Sequence, residues 1–170
     1  MYKNTCWFKK KYINGITIII PRHIHRAPDI KEEIEKIGLK VHLHSSGRKI
    51  DNKTDIYLVD TFGETKLFIK ICKIVFLGGS LIQHGGQNPL ESARLVCKVI
   101  HGPNIYNFLE VYSLLNKNNI SSKIRTISQA KDIVKKNINN KFSSKKIIKK
   151  LNSIGNEVLL NNQKEINKYI

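Results

Sequence analysis

Residues 78–91 read GGSLIQHGGQNPLE, and they follow a short apolar stretch, Ile74 to Leu77. The apolar stretch predicts a buried strand, and the residues after Asn88 predict the start of a helix. A glycine-rich turn between a strand and a helix is where α/β sheets hold phosphates and sugars, because glycine lets backbone N–H groups approach a ligand closely. The pattern matches neither the dinucleotide-binding fingerprint nor the Walker loop. By itself it therefore leaves open an ordinary tight turn as well as a ligand site.

Two further polar segments stand directly after predicted strands. PRHIHR, residues 21–26, follows the β-branched run Ile16 to Ile20, and DTFGE, residues 60–64, follows Ile56 to Val59. In open α/β sheets, ligands bind in the crevice beyond the carboxyl ends of the strands. Three strand ends of this kind predict one ligand site.

The chain alternates strands and helices in the manner of a doubly wound parallel sheet. The predicted strands cover residues 16–20, 41–43, 55–59, 73–77, 98–100 and 122–124, and the helices between them cover 29–37, 66–72, 89–96 and 108–115. After Arg125 only helices are predicted, one of them capped by Ser128 and another with apolar residues at helical spacing from Ile147 to Val158. We therefore divide the chain into an α/β domain, residues 1–125, and a basic helical extension, residues 126–170.

The chain is strongly basic, with a formal net charge of +17 over 170 residues. Residues 117–170 hold 13 Lys and Arg against 3 Asp and Glu, a balance of +10. Such an end would attract nucleic acid, anionic lipid head groups or a phosphorylated sugar lipid, although a solvated basic helix face has the same composition. No helix-turn-helix and no aromatic-basic RNA motif is visible, which makes nucleic acid the least expected of these partners.

Cysteine and hydropathy patterns narrow the class of protein. Cys6, Cys72 and Cys97 have no CxxC spacing, which argues against a disulfide framework or a zinc site. The longest apolar stretches fall far below the ~20 residues needed to span a bilayer, and the first residues lack the apolar core of a signal peptide. We therefore expect a cytoplasmic chain without a metal. Peripheral contact with the cytoplasmic face of the inner membrane is left open as an alternative.

Four motifs, in this order, resemble those of the 3-deoxy-D-manno-octulosonic acid (Kdo) transferases, GT-B glycosyltransferases that move Kdo from CMP-Kdo onto lipid A precursors. They are PRHIHR (21–26), VDTFGE (59–64), GGSLIQHGGQNPLE (78–91) and HGPNIYNF (101–108). The resemblance runs from about Trp7 to the C-terminus and covers the C-terminal, donor-binding half of the family. It implies a Rossmann-like domain without its first strand, so we expect the strand at 16–20 to lack a neighbour on one side unless residues 3–11 or another chain occupy that side.

The resemblance also implies a set of donor-binding residues. Pro21 and Arg22 correspond to residues that contact CMP, and a guanidinium at a strand end can fork onto a phosphate. Phe62, Gly63 and Glu64 would line the cytidine pocket, with Phe62 where the family usually has methionine.

The remaining members of this set come from the motif at 78–91. Main-chain amides of Gly78, Gly79 and Ser80 would face the Kdo carboxylate or the CMP phosphate, and Glu91 would accept hydrogen bonds from ribose hydroxyls. The set is completed by Asn88, Pro89 and Leu90. The chain departs from the family at three turn positions: Ser92 and Lys98 replace prolines, and Val96 replaces a glycine.

The function implied is CMP-Kdo binding within a Kdo transferase of lipopolysaccharide core biosynthesis, with a lipid A precursor as acceptor and no cofactor. The family's acceptor domain and glutamate base lie outside the matched region, so we expect no catalytic residue here and, as a partner, a separately encoded N-terminal half. Two alternatives stay open: a non-catalytic remnant of a split gene, and a basic module that binds nucleic acid or anionic membrane.

Overall fold

The computed structural model describes residues 12, 15–139 and 144–169, without the side chains of 144–147, 150, 154 and 158. The chain divides into two compact units, Met1–Phe68 and Ile69–Ile170. Within the described residues, each unit contains one three-stranded sheet, and every strand pair is parallel. The predicted parallel α/β class is confirmed, whereas the division at residue 125 stays a prediction.

The first unit is built around the central strand of its sheet. The strands are β1 (Thr17–Ile19), β2 (Val41–Leu43) and β3 (Ile56–Leu58), in the order β1-β3-β2. Around them lie helix α1 (Ala27–Glu35) and the 3-10 turns Ile24–Arg26 and His44–Ser46. Helix α2 (Thr65–Ile71) begins in this unit and ends with the first residues of the second. In the register, Leu58 of β3 lies opposite both Ile19 and Leu43, so the three strands end level at one edge.

The two faces of this sheet differ in character. On one face, Ile30 and Ile34 of α1 come at helical spacing and pack on the buried side chains of Ile56 and Leu58. Each such burial contributes about 1.5–3 kcal/mol to folding. The alternating residues of the strands face the other way, where the His42 and Tyr57 rings stack with centroids 5.2 Å apart. The polar residues that follow the strands lie next to this second face.

The second unit has strands in sequence order, β4-β5-β6. Its elements are β4 (Ile74–Leu77), α3 (Leu90–Arg94), β5 (Lys98–His101), the 3-10 turn Tyr106–Phe108, α4 (Leu109–Lys117), β6 (Ser121–Lys123), α5 (Ile127–Asn137) and α6 (Ser144–Ile166). Leu77, Val99 and Tyr112 belong to one buried cluster. Ala93, Leu115 and Ile120 form another, against which Leu151 of α6 packs. The basic C-terminal helix therefore contributes an apolar contact to this unit.

Two sequence expectations need correction or comment at the ends of these elements. The N-cap of α5 is Thr126 and not Ser128: the Thr126 side chain accepts a hydrogen bond from the Gln129 backbone, and Gln129 reaches back to close a capping box. Within the described residues, β1 pairs on one side only, with β3. The alternative that residues 3–11 occupy its other side lies outside the described residues.

Among the described helices, none is long and apolar enough to cross a membrane.

The turn before β5 carries two of the departures from the family pattern. Val96, at the position where a glycine is expected, has φ +67°, a conformation that costs a β-branched residue roughly 1–2 kcal/mol. Lys98 is buried, and its Nζ donates to the carbonyl oxygens of Asn119 at 2.8 Å and Ser121 at 3.3 Å. Burial lowers the pKa of Lys98. Val96 therefore strains the backbone of the turn, and the Lys98 side chain joins the start of β5 to residues 119–121.

Candidate functional site

Two of the predicted site segments leave the same edge of the first sheet. Pro21 and Arg22 follow β1, while Phe62, Gly63 and Glu64 follow β3, and these strands are parallel neighbours. Arg22 is exposed at this edge, and Pro21 is half-buried. A guanidinium at such a position can approach an anion from solvent and form two parallel hydrogen bonds with it.

Asp60 fixes the beginning of the turn that follows β3. Its carboxylate accepts from the Ser45 backbone N–H at 2.8 Å and from the Ser45 hydroxyl at 2.5 Å. Burial opposes ionisation of Asp60, but the hydrogen bonds from Ser45 prevail and lower its pKa. The contacts described for Asp60 therefore join the turn to the segment after β2.

Glu64 lies at the other end of this turn and is held by two side chains. The Thr61 hydroxyl donates to Glu64 Oε2, and His44 Nε2 lies 3.1 Å from the same oxygen. The Thr61 hydroxyl lowers the pKa of Glu64 most; slight burial raises it and His44 lowers it further, so the carboxylate is anionic at neutral pH. Between these anchors, Gly63 has φ +85° and Phe62 is 88% exposed.

The second unit presents the loop at residues 78–89, here called the glycine loop. Ser80 within it is completely buried. Its hydroxyl donates to the Leu77 carbonyl at 2.7 Å and accepts from the Gly102 N–H at 2.8 Å. The Ser80 side chain thus fixes the loop to the end of β5, and only its main chain is left as a candidate ligand contact.

The segment after β5, residues 101–108, holds the glycine loop by a series of hydrogen bonds. The Asn104 N–H donates to the Ser80 carbonyl at 2.9 Å, and the Asn107 N–H donates to the Gly85 carbonyl at 3.4 Å. From α4, the Tyr112 hydroxyl donates to the Gln87 carbonyl at 2.8 Å. The motif of this segment is visible in the sequence, but no local pattern indicates the role of its residues or of Tyr112.

Glycines make this close approach possible. A Cβ on Gly102 would lie 2.2 Å from the Ser80 carbonyl oxygen. A Cβ on Gly85 would lie 2.2 Å from the Asn107 side chain, and Gly85 also has φ +76°. Gly102 therefore requires glycine for packing, because the clash is with backbone, whereas Gly85 requires it mainly for its backbone angle.

The end of the glycine loop leads into the short helix α3. The Asn88 side-chain oxygen accepts from the Leu90 N–H at 3.0 Å just before the helix, and Pro89, its N-cap residue, is fully buried. Glu91 is half-buried in the first helical turn. The segment Asn88 to Glu91 is thus held at its beginning by the Asn88 hydrogen bond and a buried proline, and it ends at the Glu91 carboxylate.

The predicted residues therefore form two groups, one in each unit. In the first unit, β1 and β3 bring Pro21 and Arg22 to the same sheet edge as Phe62, Gly63 and Glu64. In the second unit, the glycine loop contains Gly78, Gly79, Ser80, Asn88 and Pro89, and α3 contains Leu90 and Glu91. Within the described residues, no three His, Cys, Asp or Glu side chains are grouped as metal ligands would be.

Comparison with known proteins gives consistent similarities. The chain is 29% identical over 153 residues to the 3-deoxy-D-manno-octulosonic acid transferase of Haemophilus influenzae, covering 90% of this chain and 35% of that protein. It is 32% identical over 132 residues to a probable mitochondrial 3-deoxy-D-manno-octulosonic acid transferase of Arabidopsis thaliana, covering 73% of this chain and 29% of that protein. The chain thus spans about a third of the length of the curated relatives it matches. No protein-family model matches it.

Among solved structures, the chain is similar to the C-terminal CMP-Kdo binding domain of WaaA from Acinetobacter baumannii. The TM-score is 0.79 at 24% identity, over 89% of this chain and 79% of that domain. These similarities favour neither the alternative of a non-catalytic remnant nor that of a basic module for nucleic acid or membrane. The chain is a homologue of the 3-deoxy-D-manno-octulosonic acid transferases and has the fold of the C-terminal domain of that family.

Proposed function

We propose that this chain binds CMP-Kdo as the donor-binding domain of a Kdo transferase. The observation that carries the proposal is that the family-like motifs follow parallel strands at their carboxyl ends, where α/β folds bind nucleotides. Homology to Kdo transferases over most of the chain supports the choice of ligand. The reaction implied is transfer of Kdo to a lipid A precursor by a protein that includes this domain or by this chain with a separately encoded N-terminal half.

The roles proposed follow from the chemistry of each group. Arg22, exposed after β1, neutralises the phosphate of CMP by paired hydrogen bonds. The turn of Phe62, Gly63 and Glu64 contacts the cytidine, since it presents an exposed ring, an open backbone and a carboxylate. The anionic Glu64 accepts hydrogen bonds and does not donate them.

The second unit supplies the contacts proposed for the sugar and the anionic groups. Glu91 accepts from ribose hydroxyls, and main-chain amides of Gly78 and Gly79 face the phosphate or the Kdo carboxylate. Because arginine and amides neutralise the leaving CMP, the proposal needs no metal. Ser80 contributes through its main chain, because both functions of its hydroxyl are used inside the protein.

Calorimetric titration with CMP tests this proposal. Glu91→Ala should weaken CMP binding about 10- to 150-fold, the effect of losing hydrogen bonds to a charged group worth about 1.5–3 kcal/mol. Glu110→Ala is the matched control, because Glu110 also lies in the first turn of a helix of the same unit but is exposed and outside the motifs. Equal CMP affinity of the wild-type chain and Glu91→Ala would contradict the assignment of Glu91, and absence of CMP binding by the wild-type chain would contradict the proposed function.

A further inference from the structure

A cluster of aromatic and titratable side chains lies beside the proposed cytidine turn, on the face of the first sheet opposite its core. The His44 ring is 5.0 Å from Phe68 and 5.7 Å from Tyr57, measured between ring centroids. The Tyr57 ring is also 5.7 Å from Phe68 and stacks on His42. None of these four side chains belongs to the donor-binding residues predicted from the sequence.

Both nitrogens of the His44 ring are engaged. Nδ1 lies 2.5 Å from the Tyr57 hydroxyl, and Nε2 lies 3.1 Å from Glu64 Oε2. An ionised carboxylate only accepts, so Nε2 carries the proton and donates to it. Nδ1 of that tautomer accepts from the Tyr57 hydroxyl, so both nitrogens of the His44 ring have a partner.

The same histidine begins the 3-10 turn that Asp60 also holds. Ser45, its neighbour, makes two hydrogen bonds to the Asp60 carboxylate. The segment after β2 and the turn after β3 are thus joined at both ends of the turn, by Asp60 and by Glu64. Within the described contacts, Glu64 uses Oε2 for both His44 and Thr61, so the ring sets the direction in which Oε1 can meet a ligand.

We propose that His44 is a positioning residue for the donor site, which orients the Glu64 carboxylate and holds the Phe62–Glu64 turn in its binding conformation. This inference rests on the proposed function, because it concerns the same CMP site. His44 acts through Glu64 and does not itself contact the nucleotide. Tyr57 acts one step further back, by fixing the ring of His44.

The test is CMP titration of single and paired variants, each with its melting temperature. His44→Ala should weaken CMP binding about tenfold, within the usual range of coupling between neighbouring groups. His44→Gln should recover most of the loss, because its side-chain amide can still donate to Glu64. His42→Ala is the matched control: it removes a ring stacked on Tyr57 but no described contact to Glu64, and should leave CMP affinity within about twofold.

A double-mutant comparison separates positioning from general packing. If His44 acts through Glu64, then His44→Ala combined with Glu64→Gln should bind CMP no more weakly than Glu64→Gln alone. Additive losses, equal losses in His42→Ala and His44→Ala, or wild-type affinity of His44→Ala would each overturn the inference while leaving the proposed function intact. A wild-type chain that fails to bind CMP would contradict the proposed function, and the inference would fall with it.

Discussion

The turn at residues 60–64 and the glycine loop are the two regions to which donor binding is assigned, and they are built differently. The turn is fixed by charged and polar side chains at its ends, with open space around Gly63 between them. The glycine loop is fixed by main-chain contact with residues 101–108, with no room for a Cβ at Gly102. Substitutions in the loop should therefore impair folding first, whereas substitutions in the turn should impair ligand binding first.

The largest effect expected on this comparison is that of Gly102→Ala. The added methyl group would meet the backbone of Ser80, which cannot move aside as a flexible side chain can, so we expect a loss of about 3 kcal/mol or more in unfolding free energy. Urea unfolding measures it. Gly155→Ala is the control: nothing lies within 4 Å of the added Cβ in helix α6, so it should gain up to about 1 kcal/mol. Similar stability of both variants would show that the loop tolerates displacement.

A smaller difference should separate Gly85→Ala from Gly63→Ala. Both glycines have positive φ, which costs alanine about 1–2 kcal/mol, but only Gly85 also faces a clash, with Asn107 and Tyr106. Gly85→Ala should therefore be the less stable variant by about 1 kcal/mol or more. Urea unfolding of the two variants side by side gives this difference directly. If Gly63→Ala were equally destabilised, the turn would be as tightly packed as the loop, and the comparison would not hold.

The smallest effect expected is the response of the turn to acid. The pKa of Asp60 in the folded chain lies below its ordinary value of 3.8. Asp60 therefore stabilises the fold fully above about pH 3.8, and this stabilisation is lost as pH falls through the folded pKa. From about pH 5 to pH 3, the unfolding free energy of the wild-type chain should fall by more than that of Asp60→Asn. The difference should be about 1 kcal/mol or less, because solvent screens this partly exposed group. Urea unfolding at both pH values measures the difference. An identical loss in both proteins would remove Asp60 as an anchor of the turn.

Sequence patterns predicted the strands, the parallel class and the segments after the strands, because hydrophobic runs and glycine or proline signals are local. The contacts that fix those segments are not local. His44 reaches Glu64 across 20 positions, and Tyr112 reaches Gln87 across 25, so both depend on how strands and helices are packed. No spacing rule connects such residues in a single sequence.

Some features were present in the sequence and were nevertheless misread. Thr126 and Gln129 have the spacing of a capping box, which indicates the start of the helix more specifically than a lone Ser128 does. The positive φ of Val96 could not be predicted from its residue type, because β-branched residues avoid that region. The signal for this backbone conformation was the family resemblance, in which glycine occupies the position of Val96.

Hydrogen–deuterium exchange of the full chain, with and without CMP, tests the central claim most directly, because it reports on both regions in one measurement. We predict that CMP slows exchange in peptides covering residues 60–64 and 78–91. The change should be larger in the exposed turn, because the loop is already held by hydrogen bonds to residues 101–108. Unchanged exchange in both regions at saturating CMP, or protection confined to α6, would contradict the account.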